Sequence, residues 1–166
     1  MIRELAKKLA ALTEFVDCVM IELKFRRGNF KASTEILKKH SAMILIRVRS
    51  EQAELLVKLI RPRQEITATF SCRIQSSEKI WRIFTASEVL AFVQATGDEK
   101  KIHRLNPPIV PGLLILETIC SNFAANFIKL KFKNFITAGE PLSLQVVGNH
   151  IEIKSAGVRK ISGEIN

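Results

Sequence analysis

The sequence predicts an α+β fold in which a long apolar helix is wrapped by an antiparallel sheet. Three observations carry that expectation. The stretch 112–127 is almost uniformly apolar (Leu113, Leu114, Ile115, Leu116, Ile119, Phe123, Ala124, Ala125, Phe127), and a helix that is apolar on most sides must be buried on most sides. Much of the remaining chain reads as short β-branched or alternating runs separated by turn residues. There is also an internal echo: Ile21-Glu22-Leu23-Lys24-Phe25 resembles Ile128-Lys129-Leu130-Lys131-Phe132. Each copy follows a helical stretch and precedes three further strand-like runs. The echo is either coincidence in a chain rich in Ile, Leu and Lys or a true repeat. As a repeat, it makes residues 1–79 a degenerate half and residues 80–166 a second half with an extra loop before its helix.

The elements follow in order. Leu5, Leu9, Leu12 and Phe15 recur at helical spacing and predict a helix over 3–16. Strands are predicted over 19–25, 42–48, 54–60 and 65–74, with Pro62 breaking the chain between the last two. The stretch 26–39 is ambiguous: it opens as a loop at Gly28-Asn29, and Ser33-Thr34-Glu35 has the composition of a short helix start. Residues 81–84 read as a short strand. Thr85, with Glu88 three residues on, has the capping-box spacing, and the helix it starts stops at Gly97. A loop from Asp98 to Pro111 is stiffened by Pro107, Pro108 and Pro111. After the buried helix, strands are predicted over 128–132, 142–147, 151–154 and 158–165, with turns at 138–141, 148–149 and 156–157.

The 166 residues suffice for one domain or two small fused ones with a sizeable core. No apolar run approaches the roughly 20 residues of a membrane span. Charges stand where a secretion signal would carry its apolar stretch. Cys18, Cys72 and Cys120 lie far apart with no Cys-x-x-Cys, which argues against a disulfide framework or a cysteine-rich zinc site and for a reducing cytoplasm. The 26 Lys and Arg exceed the 16 Asp and Glu, giving a net charge of +10. Such a field favours solubility and attracts polyanions. No nucleic-acid-binding motif accompanies it, so nucleic acid is the weakest of the partner classes.

One segment rises above composition. It runs Gly97-Asp98-Glu99-Lys100-Lys101-Ile102-His103, then Arg104-Leu105-Asn106-Pro107-Pro108-Ile109-Val110-Pro111-Gly112, four residues, and Glu117. The upstream part resembles the MaoC-like, (R)-specific enoyl-CoA hydratase motif: a helix ending in Gly-Asp, then one residue, Asn-Pro, Ile or Val, and His. The Asp-to-His spacing is kept, and Lys100-Lys101 stand where the motif has Asn-Pro. The downstream part resembles β-hydroxyacyl-acyl-carrier-protein dehydratases of the FabZ type. Its His, Pro, Pro-Gly and Glu keep their spacing, while the Phe-Pro-Gly that follows His in that family is missing. The resemblance spans about residues 81–166. It implies a hot-dog fold, which the echo would extend to a double hot dog with a degenerate N-terminal half. It also implies reversible dehydration and hydration of (R)-3-hydroxyacyl and trans-2-enoyl thioesters, carried by CoA or acyl carrier protein, in a homodimer.

The same residues make chemical sense unaided. Dehydrating a 3-hydroxyacyl thioester needs a base for the proton next to the carbonyl, an acid for the leaving hydroxyl, and a donor for charge on the thioester oxygen. His103 titrates near neutrality and serves as base or acid. Asp98 or Glu117 supplies the carboxylate partner. Gly112, with Leu113 behind it and Pro111 before it, opens a helix whose free N–H groups can face the thioester oxygen. No metal or redox cofactor is called for. His40 and His150 read as surface residues and Cys120 as a small core residue. The two carboxylates compete. Offsetting by 107 residues sets Glu117 against Ala10, so a His103–Glu117 pair requires a second chain unless the halves are shifted and Glu14 takes the role, whereas Asp98–His103 needs one chain. Two other readings stand beside this one: a hot-dog thioesterase working through Glu117, and a non-enzymatic acyl-thioester-binding or regulatory module.

Overall fold

The computed structural model describes residues 1–66 and 79–166. Helix α1 (Ile2–Ala10) leads into strands β1 (Val19–Arg27), β2 (Ser33–Lys39), β3 (Met43–Arg49) and β4 (Ala53–Ile60). The second half adds a short strand β5 (Arg82–Ile83), helix α2 (Ala86–Thr96) and a 3-10 turn over Lys101–Arg104. Helix α3 (Gly112–Asn122) and strands β6 (Phe127–Phe132), β7 (Pro141–Val147), β8 (His150–Ser155) and β9 (Val158–Ile165) complete it.

Among the described residues, nine strands form one antiparallel sheet, in the order β2-β3-β4-β1-β6-β9-β8-β7-β5. Leaving out β5, the order is symmetric about its centre: β1, β4, β3 and β2 run outward on one side as β6, β9, β8 and β7 do on the other. The two central strands carry the sequence echo, and Leu23 of β1 pairs directly with Leu130 of β6. The echo is therefore centred on one matched pair, Leu23 and Leu130, with the remaining positions crossed over, as where Phe25 faces Ile128.

One face of the sheet is closed by the helices. Alternate residues of each strand, such as Leu23 and Phe25 on β1 and Leu55, Val57 and Leu59 on β4, point inward and are buried. They pack against Leu5 and Leu9 of α1 and Leu113, Ile115, Leu116 and Ile119 of α3 in one continuous core. Helix α1 touches both α2 and α3.

The structure differs from expectation in places. Helix α1 stops at Ala10, and the chain tightens through a 3-10 turn at Thr13–Phe15 that delivers Phe15 into the core. Ser33–Lys39 is a strand, not the start of a helix: Thr34 and Ile36 pair with Val48 and Ile46 of β3, and that pairing outweighs a local capping signal. Helix α3 ends at Asn122, where Phe123 turns to extended backbone. Of the strand predicted over 65–74, residues 67–74 lie outside the described residues, and residues 65 and 66 are not in a strand.

Candidate active site

Asp98 is placed by the end of α2. The helix starts with the expected capping box, in which the Thr85 side chain accepts from the Glu88 N–H and Glu88 accepts from the Thr85 N–H. Those hydrogen bonds hold the Glu88 carboxyl below its ordinary range. The helix stops at Gly97, whose φ of 71° lies in the left-handed region that glycine tolerates. The N–H groups of Gly97 and Asp98 both return to the Val93 carbonyl, at 2.9 and 3.2 Å. Asp98 thus leaves the helix in a fixed direction.

His103 sits in the 3-10 turn that follows and is only 5% exposed. Its Nδ1 lies 2.8 Å from the Ile109 carbonyl oxygen. A carbonyl can only accept, so Nδ1 carries the proton and the neutral ring presents a bare lone pair at Nε2. The Ile109 N–H in turn donates to the Ile102 carbonyl, which clips the two sides of the loop together. Nε2 lies 3.6 Å from Oδ2 of Asp98. Burial pushes the His103 pKa below 6.5; Asp98 and the Ile109 carbonyl pull it back up, and Lys100 pushes it down.

The proline loop then rises to α3. Val110 and Ala138 bond across to Ile136 and Pro108, tying this loop to the connection between β6 and β7. No side chain caps α3, and the N–H groups of Leu114 and Ile115 go to the Pro111 carbonyl. The N–H groups of Gly112 and Leu113, at the very start, have no carbonyl within the helix to reach. A Cβ at Gly112 would stand 2.9 Å from Cζ of Phe132 and 3.2 Å from Sδ of Met20, so glycine is what lets this helix end sit so close to the sheet.

These groups surround a cavity of about 320 Å³, within the range of small-molecule sites. Asp98, His103, Pro111, Gly112 and Leu113 all line it, as do Lys100, Phe92 and Phe132. Another part of the wall comes from the first half of the chain: Ala6, Leu9 and Ala10 of α1, Val19, Met20 and Ile21 of β1, and Ile60. The exposed lining residues Lys133, Asn134 and Phe135 mark its mouth.

No family model matches the chain, and no curated protein does. Solved structures do. HtdX from Mycobacterium tuberculosis superposes with a TM-score of 0.65 at 11% identity, covering 99% of this chain and 85% of that one. A MaoC-like dehydratase from Phytophthora capsici gives 0.55 at 10% identity, with 91% and 69% coverage. An acyl-ACP thioesterase from Bacteroides thetaiotaomicron gives 0.54 at 12% identity, with 94% and 79% coverage. The fold is a hot dog.

Within the hot dog, the residues singled out in the sequence do not all meet. Asp98 and His103 converge on the cavity beside Gly112. Glu117 does not line it: its carboxylate accepts from Nε and Nη2 of Arg3 on α1, at 2.9 and 3.2 Å. Glu14 pairs with Lys39. His40 and His150 are exposed, and Cys120 packs against the core. Among the described residues, no group of three His, Cys, Asp or Glu could hold a metal, and no helix is long and apolar enough to cross a membrane. Sequence reasoning missed two contributors, Lys100 and the cavity wall from α1. Lys100 was visible only as a departure from the family motif, and nothing local marks Ala6 or Ala10.

Proposed function

We propose that the protein hydrates trans-2-enoyl thioesters and dehydrates (R)-3-hydroxyacyl thioesters by acid–base catalysis, with His103 and Asp98 as the catalytic pair. The observation that carries this reading is the pair itself. Two acceptors, Nε2 of His103 and Oδ2 of Asp98, face each other across 3.6 Å at the wall of an apolar cavity. A water lodged against both can donate one O–H to each, and a substrate hydroxyl can donate its one O–H to either. In the hydration direction the water gives one proton to Nε2 as its oxygen adds to C3 of the enoyl chain. Asp98 accepts the second O–H and orients the attack. Electrons shift to the thioester oxygen, which the Gly112 and Leu113 N–H groups are placed to stabilise. The imidazolium then returns its proton to C2, giving the 3-hydroxyacyl thioester. Dehydration is the reverse. The depressed His103 pKa keeps the ring neutral at pH 7, the state this step needs.

A second reading is a thioesterase working through Glu117; within one chain that carboxylate is held by Arg3 and does not line the cavity, so the reading calls on a second chain. The test is an enoyl-CoA hydration assay, followed by loss of the enoyl absorbance, on wild type, His103→Ala and Asp98→Asn. Each variant is expected to lose about 10²- to 10⁴-fold in kcat/KM, the range of a lost general acid or base. Equal rates in all three, or free thiol release in place of hydration, would overturn the assignment.

A further inference from the structure

Lys100 occupies a place in this cavity that the chemistry above leaves unused. Its backbone N–H donates to Oδ1 of Asp98 at 3.1 Å, and its Nζ lies 3.5 Å from the same oxygen. Its side chain is 14% exposed, against 19% for Asp98 and 6% for His103. The three groups line one cavity, and the two oxygens of Asp98 are divided between the other two residues. A lysine in this setting is costly to bury without a partner, and its partner is the carboxylate that faces the imidazole. Its neighbours beyond the trio are Cys18, just before β1, and through that thiol Arg61 and Asp17. The charged groups acting on His103 are Asp98 and Lys100.

We propose that Lys100 is a positioning residue of the site: its backbone N–H holds Oδ1 of Asp98 and so aims Oδ2 at Nε2 of His103, a bond that side-chain variants keep, while its ammonium supplies the cationic charge that governs this pair. The inference rests on the catalytic reading of Asp98 and His103, and it goes further in giving the pair a third, charged member where the related motif has a neutral asparagine. Two effects of removing that charge act in the same direction. Repulsion between ammonium and imidazolium disappears, and the Asp98 carboxylate is no longer partly neutralised. Both favour a protonated His103. A lysine that only braced the loop would leave the titration of His103 where it is.

The decisive measurement is an NMR titration of the His103 ring in wild type, Lys100→Met and Lys100→Arg, which needs no turnover. The midpoint is expected to move upward in the Met variant and to return close to the wild-type value in the Arg variant. Lys100→Gln, smaller and uncharged, is expected to move with Met and serves if the Met chain does not fold. In the hydration assay, the acidic limb of kcat/KM should shift to higher pH with Met or Gln, because the reaction requires the neutral ring, and Arg should restore it. An unchanged midpoint in Met and Gln, or a uniform loss of rate at every pH with no displacement of the limb, overturns the proposal. A moving midpoint in a protein that shows no hydration leaves Lys100 in its role and overturns the reaction instead, so the two readings fail separately.

Discussion

Burial of His103 affects stability as well as chemistry. In the unfolded chain an imidazole takes its proton near 6.5, whereas in the folded chain desolvation holds the value lower. Between those two values the unfolded state binds more protons than the folded one. The contribution of this residue is therefore present above 6.5 and is lost as the pH falls from there through the folded value. His103→Asn removes the titration while keeping an amide N–H able to donate to the Ile109 carbonyl. Thermal unfolding followed from about pH 7.5 to about pH 5.5 should show Tm falling more steeply in wild type than in His103→Asn across that window. Parallel curves would mean that the ring is more accessible to protons than its 5% exposure implies.

At the scale of the element, the start of α3 combines a chemical and a packing demand on one residue. Gly112 lines the cavity with an N–H that no helical carbonyl takes up, and an added Cβ would press on the ends of the Phe132 and Met20 side chains. Gly112→Ala is expected to cost about 1–3 kcal/mol through overpacking, read as a lowered urea midpoint, and to reduce hydration further by pushing the helix end away from the thioester oxygen. A full rate in a destabilised Ala variant would show that the α3 amides do not contact the substrate. How legible such elements were in the sequence depended on how local their cause is. The capping box of α2, its Gly97 stop and the Asp98–His103 spacing are set within a few residues of chain and were readable. The strand at Ser33–Lys39 was not, because its Ser-Thr-Glu start carries a helix signal that only β3, a separate stretch of chain, overrules. The helix over 112–127 was overestimated because apolar composition continues past Asn122 into the turn and β6. Glu117 kept its expected spacing, but its partner Arg3 stands 114 residues away, a distance no motif reports.

The whole molecule divides the proposed work between its two halves. The proposed catalytic pair and the helix amides come from the second half, while α1, β1 and the end of β4 supply further lining of the cavity. A lone second half would lack that lining, and in the intact chain no second copy is needed to bring His103 and Asp98 together. The symmetric strand order, with Leu23 set opposite Leu130, is what carries α1 to the position facing α3. On the proposed reading, the first half would select the acyl chain through the residues it gives to the cavity wall. Ala10, at the end of α1, is partly exposed and lines the cavity, so a larger side chain there can grow into the open space at little cost to the core. Ala10→Phe should leave Tm close to wild type and keep hydration of a short crotonyl thioester. It should lower the long-to-short preference, measured as the ratio of kcat/KM for dodecenoyl and crotonyl thioesters, by about 10- to 100-fold, the scale of steric discrimination in an apolar pocket. An unchanged ratio would place the acyl chain along some other wall and leave the first half with a purely structural task.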